Sequence, residues 1–247
     1  MIRRVFTAAL LAAAAFSASP ALAASIYLDF EGIAPYPNTS GVSIGDYYNG
    51  GTSSIGTSGT NYGVQFTSEA LLLCMNTAGT TCSNTSRGGQ GIPTSQYGAL
   101  FFPSGNPTMN VAAGFTNGFS FVYSDPFAAV TTVAIYGGLN GTGALLASLD
   151  LSGTPNAGCD SAISGNANYC PFLTGSVGFN GTAQSVKFLG ESNKQVFDDF
   201  TFGSVTVGGG AGGVPEPSTW ALMLLGVAAV GQGLRARGTK RSLLQAI

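Results

Sequence analysis

The sequence predicts an all-β protein, a sandwich of two sheets, and three observations carry that expectation. Charged residues make up only 8% of the 247 residues while glycine alone numbers 37, a balance suited to short strands and many turns rather than to long helices laced by ion pairs. Between residues 25 and 207 apolar residues recur in short bursts divided by Gly, Asn, Ser and Pro, and helical spacing is nowhere sustained. Four Asn-Gly pairs, at Asn49, Asn117, Asn140 and Asn180, supply turn residues that tolerate positive φ.

Taken in order, residues 1–23 open with Arg3 and Arg4, continue through an apolar stretch over 5–16, and close on a small-residue Ala-Leu-Ala ending at Ala23. These are the three parts of a secretory signal peptide, a short helix cleaved after Ala23. A buried N-terminal helix is the alternative, but Pro20 and the small-residue site would serve no purpose in one. The folded domain is expected over 24–207. Candidate strands are 26–31, 63–67, 70–75, 99–102, 108–112, 118–123, 131–136, 144–151, 183–189 and 195–202. Alternation is clearest where Phe119, Phe121 and Tyr123 oppose Ser120 and Ser124, as for a strand with one face on a core. About ten strands with turn-rich connections imply a two-sheet, jelly-roll-like sandwich. The Asn140 turn lies between two convincing strands and predicts a hairpin, whereas 33–61 reads as a long surface loop.

Composition also excludes functions. Histidine is absent, which removes the usual base near neutral pH, the commonest zinc ligand and every His-assisted nucleophile. Between residues 24 and 214 three basic residues face ten acidic ones, a net of −7. Nucleic acid, which binds through a basic footprint, is excluded as a partner. Any metal would be held by oxygen, which favours calcium. The four cysteines suit an oxidising compartment. Local disulfides, Cys74 with Cys82 and Cys159 with Cys170, are expected, since each would staple a Gly/Asn/Ser-rich loop.

Past the domain, 208–213 is a glycine-rich run that behaves as a flexible tether. It leads into Val214, Pro215, Glu216 and Pro217, then an apolar helix over 220–234, then Arg235, Arg237, Lys240 and Arg241, with 242–247 as a tail. The helix is short for a membrane span, and the basic cluster would hold its far end in the cytoplasm. In order and spacing, 214–241 resembles the PEP-CTERM sorting signal. The resemblance implies a Gram-negative exopolysaccharide producer, transient anchoring in the inner membrane, and processing near the PEP residues by an exosortase-type membrane enzyme.

Carboxylates gather at the two ends of the domain: Asp29-Phe30-Glu31-Gly32 in the first strand and Phe197-Asp198-Asp199-Phe200 in the last. The first and last strands of a jelly-roll commonly run side by side, which would bring these groups together. Here the sequence resembles β-sandwich carbohydrate-binding and adhesion modules that open on F-E-x-G and close on a D-D-aromatic strand. That resemblance implies a structural calcium held by Glu31 with Asp198 or Asp199, and by Asp29 as a further candidate. The alternative is that the phenylalanines are ordinary core residues and the carboxylates point into water. On a regular strand Asp29 and Glu31 share a face while Asp198 and Asp199 oppose each other, so convergence of all four needs a bulge.

Two further site classes are weighed. Glycan contact would fall to loop tyrosines, Tyr36, Tyr47 and Tyr48, because the only tryptophan lies in the sorting tail. Acid/base glycoside hydrolysis would need two suitably spaced carboxylates, such as Asp29 with Glu31 or Glu69 with Glu191. The leading expectation is a non-catalytic exported surface or biofilm-matrix protein. An exopolysaccharide-binding module and a secreted glycan hydrolase are the alternatives.

Overall fold

The structure, a computed structural model, describes residues 25–35, 41–75, 98–102, 106–154 and 171–209. The signal segment, the sorting tail and the helices expected in them lie outside the described residues, as do Tyr36, Cys82, Cys159 and Cys170. Within the described residues the chain forms β1 (Ile26–Leu28), β2 (Val42–Ser43), β3 (Val64–Phe66), β4 (Leu71–Cys74), β5 (Gly98–Phe101) and β6 (Thr108–Phe115). It continues through β7 (Gly118–Ser124), β8 (Thr131–Tyr136), β9 (Leu145–Leu151), β10 (Leu173–Gly178), β11 (Ala183–Leu189) and β12 (Val196–Phe202).

These strands make two antiparallel sheets. One has the order β10-β7-β12-β5-β4-β2, with β1 also on β12, and the other β3-β6-β11-β8-β9. In the five-stranded sheet the two-residue period works as the sequence implies. Phe66, Met109, Val186 and Ile135 are register partners across four strands and all are buried, whereas the adjacent Gln65 is exposed. The hairpin expected at Asn140 forms between β8 and β9 through a 3-10 turn at Leu139–Gly141, with Asn140 at φ 59°. Asn140 and Asn110 lock that turn onto the sheet reciprocally. The Asn140 N–H donates to Asn110 Oδ1 at 2.7 Å, and Asn110 Nδ2 donates to Asn140 Oδ1 at 2.8 Å.

Phenylalanine fills the space between the sheets. Phe200 lies on Phe188 at 5.5 Å in a stacked pair and meets Phe30, Phe119 and Phe121 edge-on at 5.0, 5.3 and 6.0 Å. Each such contact adds about 0.5–1.5 kcal/mol beyond the area buried, so this aromatic cluster gives the sandwich its centre.

The seven-stranded sheet departs from the alternating pattern. Every residue of β7 and of β12 is buried, including Ser120 and Ser124, which alternation places in water. The reason is a second apolar cluster on the outer face of this sheet, made by Leu73, Met75, Val122, Phe172 and Val196. Two strands were not legible. β2 has only two residues, and β10 reads as turn because of its glycines. Gly175 is nonetheless required, since a Cβ there would sit 2.5 Å from the ring of Phe121. The expectation of a surface loop over 33–61 is also corrected. Ile33, Ile44, Tyr47 and Tyr48 are buried in the main core, and Tyr48 O accepts the N–H groups of Tyr62 and Val64.

Candidate functional site

The first and last strands do pair: Ile26, Tyr27 and Leu28 face Phe202, Thr201 and Phe200. On that same edge of β12, Val196 and Phe197 pair instead with Phe101 and Leu100 of β5. The two partners meet at Asp198 and Asp199. There β12 shifts register against β7 between Asp198 and Thr201, and Asp199 takes φ 54°. This is the bulge that convergence requires. It lets Phe197 and Phe200 both enter the core although they are three positions apart. Aspartate tolerates the left-handed region better than most residues.

Each of the four candidate carboxylates is held by a protein donor. Asp198 Oδ1 accepts the Asp199 N–H at 2.7 Å, and Asp199 Oδ1 accepts the Tyr27 hydroxyl. Asp29 Oδ1 accepts the Glu31 N–H at 3.1 Å, a side-chain turn that ends β1, and Phe30 between them sits at φ 56°. Glu31 Oε1 accepts the Gly98 N–H at 2.8 Å, tying the β1 turn to β5. Gly98 is needed because a Cβ would lie 2.2 Å from the Phe30 carbonyl oxygen. Asp198 and Asp199 are fully buried, while Asp29 and Glu31 are half-buried. Donors of this kind offset part of the cost of removing a carboxyl group from water.

Tyr48 lies beside this junction. Burial pushes its hydroxyl well above the ordinary tyrosine range, and Asp29, Tyr47 and Asp198 push the same way, with the Phe30 backbone acting weakly against them. Tyr47 is raised as well, by burial and then by Asp29. Tyr47 and Tyr48 meet edge-on at 4.8 Å, and Tyr48 also packs on Phe30 and Phe66. Their exposures are 6% and 4%. The expectation that they stack on a sugar is therefore corrected: neither ring offers a free face to water, because both are core residues.

Among the described residues no group of three or more His, Cys, Asp or Glu side chains is placed to hold a metal ion. The strand ends thus come together as expected, but the four carboxylates do not form one such group, and melting with and without calcium is the test of an ion at this junction. Glu69 is held below the usual carboxylate range, first by the Thr67 hydroxyl, the direction opposite to the one a general acid needs. Cys74 ends β4 and is buried, while the other three cysteines, and with them the expected local pairings, lie outside the described residues. Tyr27 and Gly98 were missed because neither carries a chemical signature in the sequence. Only the register of β1 on β12 and of β5 beside it reveals their part.

The chain leaves this same part of the fold. Gly203 N–H donates to Gly118 O at 2.9 Å, and Gly208 N–H donates to Thr201 Oγ1 at 2.9 Å, so the first residue of the glycine run is still fastened to β12. The segment beyond it, residues 213–241, matches the PEP-CTERM protein-sorting motif, which implies an exported protein sorted by an exosortase. No curated protein matches the chain. Among solved structures, a similar chain is a family 6 carbohydrate-binding module, studied by dissection of its binding sub-sites with X-ray crystallography and isothermal titration calorimetry. It is 15% identical, the match covers 56% of this chain and 86% of that one, and the TM-score is 0.31. So slight a likeness carries nothing across about ligands.

Proposed function

We propose that this chain is a non-catalytic exported surface or biofilm-matrix protein, anchored transiently in the inner membrane by its C-terminal helix and released by an exosortase-type enzyme. The observation that carries this reading is the sorting motif at residues 213–241, which follows the last strand after a short connection. The topology supports it. Ile26, three residues after the expected leader cleavage point, pairs with Phe202, eleven residues before the motif. Both processing segments therefore leave the sandwich at one end, which makes that end the membrane-facing one while either is uncut. The histidine-free and acidic domain stands outside, its carboxylates at the β1–β12 junction serving to close the fold.

Replacing Pro215, Glu216 and Pro217 together by alanine tests the reading without touching the domain. Fractionation of cells should show the variant accumulating in the inner membrane while the unaltered protein reaches the surface or medium. Equal release of the two would remove the sorting role.

A further inference from the structure

We infer that Asn180 is a site of spontaneous chemical modification, converted to aspartate and isoaspartate through a cyclic imide, and that the fold shields the other three Asn-Gly pairs from the same reaction. The chemistry needs no enzyme. The backbone nitrogen of the following glycine loses its proton to solvent base and attacks the Asn side-chain carbonyl carbon. A C–N bond forms, the bond to the side-chain amide nitrogen breaks, and that nitrogen leaves as ammonia. Water then opens the five-membered imide at either carbonyl, giving aspartate or isoaspartate. Glycine in second place imposes the least steric hindrance on the attack. What distinguishes one Asn-Gly pair from another in a folded chain is whether the nucleophilic nitrogen and the amide are free to meet.

In two of the four pairs the nucleophile is occupied. Gly118 N–H donates to Thr116 O at 2.9 Å, and Gly118 is a buried residue of β7 against which Val205 packs. Gly141 N–H donates to Ser185 Oγ at 2.9 Å, and the Asn140 side chain is itself held by Asn110. Asn117 and Asn140 are also fixed in the left-handed region, at φ 72° and 59°. In the third pair the amide is restrained, since Asn49 Nδ2 donates to Asp46 Oδ1 at 3.1 Å and the side chain of Asn61 crowds Gly50. Asn180 differs on every count. Asn180 and Gly181 are both exposed on the connection between β10 and β11, and the nearest atom to a Cβ built on Gly181 is Leu146 Cδ2 at 4.0 Å. Among the described residues no hydrogen bond engages the Asn180 side chain or the Gly181 N–H. A matrix protein that is not turned over would accumulate this change as an added negative charge and an inserted backbone carbon between the two sheets.

The test is peptide mapping of the full protein after incubation in mildly alkaline buffer, folded and in denaturant. In the folded protein the Asn180 peptide should convert severalfold faster than the Asn49 peptide, and the Asn117 and Asn140 peptides slowest. In denaturant the four rates should draw together, because the sequence pair is the same. If Asn117 or Asn140 converts as fast as Asn180 in the folded protein, or if the spread persists unchanged in denaturant, the inference is overturned. An Asn180→Gln variant, which lacks the five-membered ring, should lose the fast conversion and nothing else.

Discussion

The two sheets of this sandwich are built on different terms. The five-stranded sheet keeps one face on the core and much of the other open to water, so its strands come nearer to alternation, although Thr108 to Val111 of β6 and Val133 to Ile135 of β8 are buried in unbroken runs. The seven-stranded sheet is covered on both faces along β7 and β12, carries a bulge at Asp198–Asp199, and splits one edge of β12 between β5 and β1. The first sheet is made by pattern, the second by specific residues that let irregular backbone sit in a dry interior. Substitutions in the second should therefore cost far more.

The largest difference should appear at Phe200. Phe200→Ala removes the ring that joins both sheets and is expected to cost about 3–5 kcal/mol in chemical denaturation. Ser148→Ala, on the exposed side of β9, should stay within about 0.5 kcal/mol. Similar losses at both positions would erase the contrast.

Next comes Gly98→Ala. The added methyl would overlap the Phe30 carbonyl oxygen, and overpacking of this kind costs about 1–3 kcal/mol. A fully stable variant would mean that the β1 turn can move away from β5, and that the junction is less tightly specified than described.

A smaller effect concerns alkaline pH. The folded protein holds Tyr48 well above its ordinary range, chiefly by burial, while the unfolded chain releases that proton near pH ~10. The folded state then binds more protons than the unfolded one, so the stability this residue contributes is complete below pH ~10 and is lost as pH rises beyond it. Denaturation curves at increasing alkalinity should show the decline, and Tyr48→Phe should make it shallower. An identical slope in the variant would assign the alkaline sensitivity elsewhere.

The smallest expected effect is none. With each carboxylate at the junction held by a protein donor, EDTA-treated protein should melt at the same temperature with and without added calcium. A clear calcium-dependent rise would establish an ion between β1 and β12 and change the part assigned to Asp29, Glu31, Asp198 and Asp199.

The same contrast explains what the sequence could and could not tell. For β8 and β11 the bounds were read correctly, and the Asn140 hairpin followed from turn chemistry, because a half-exposed sheet writes its geometry into a period of two. The meeting of the first and last strands followed from the jelly-roll-like order expected of the domain. The burial of Tyr47 and Tyr48 was not, since a segment rich in Gly, Ser and Thr looks like solvent-facing loop until its few large side chains are seen to converge on Phe30. Nor was the second apolar cluster, whose members Leu73, Phe172 and Val196 come from distant parts of the chain and share no local pattern.

The proposed function requires that both ends of this chain be addresses, removed once the sandwich stands outside the inner membrane. Intact mass analysis of the protein recovered from the cell surface tests it most directly. A chain beginning at Ala24 and ending before Trp220 is the expected result. Recovery of the uncut 247-residue chain from the cytosol, with its cysteines reduced, would contradict it.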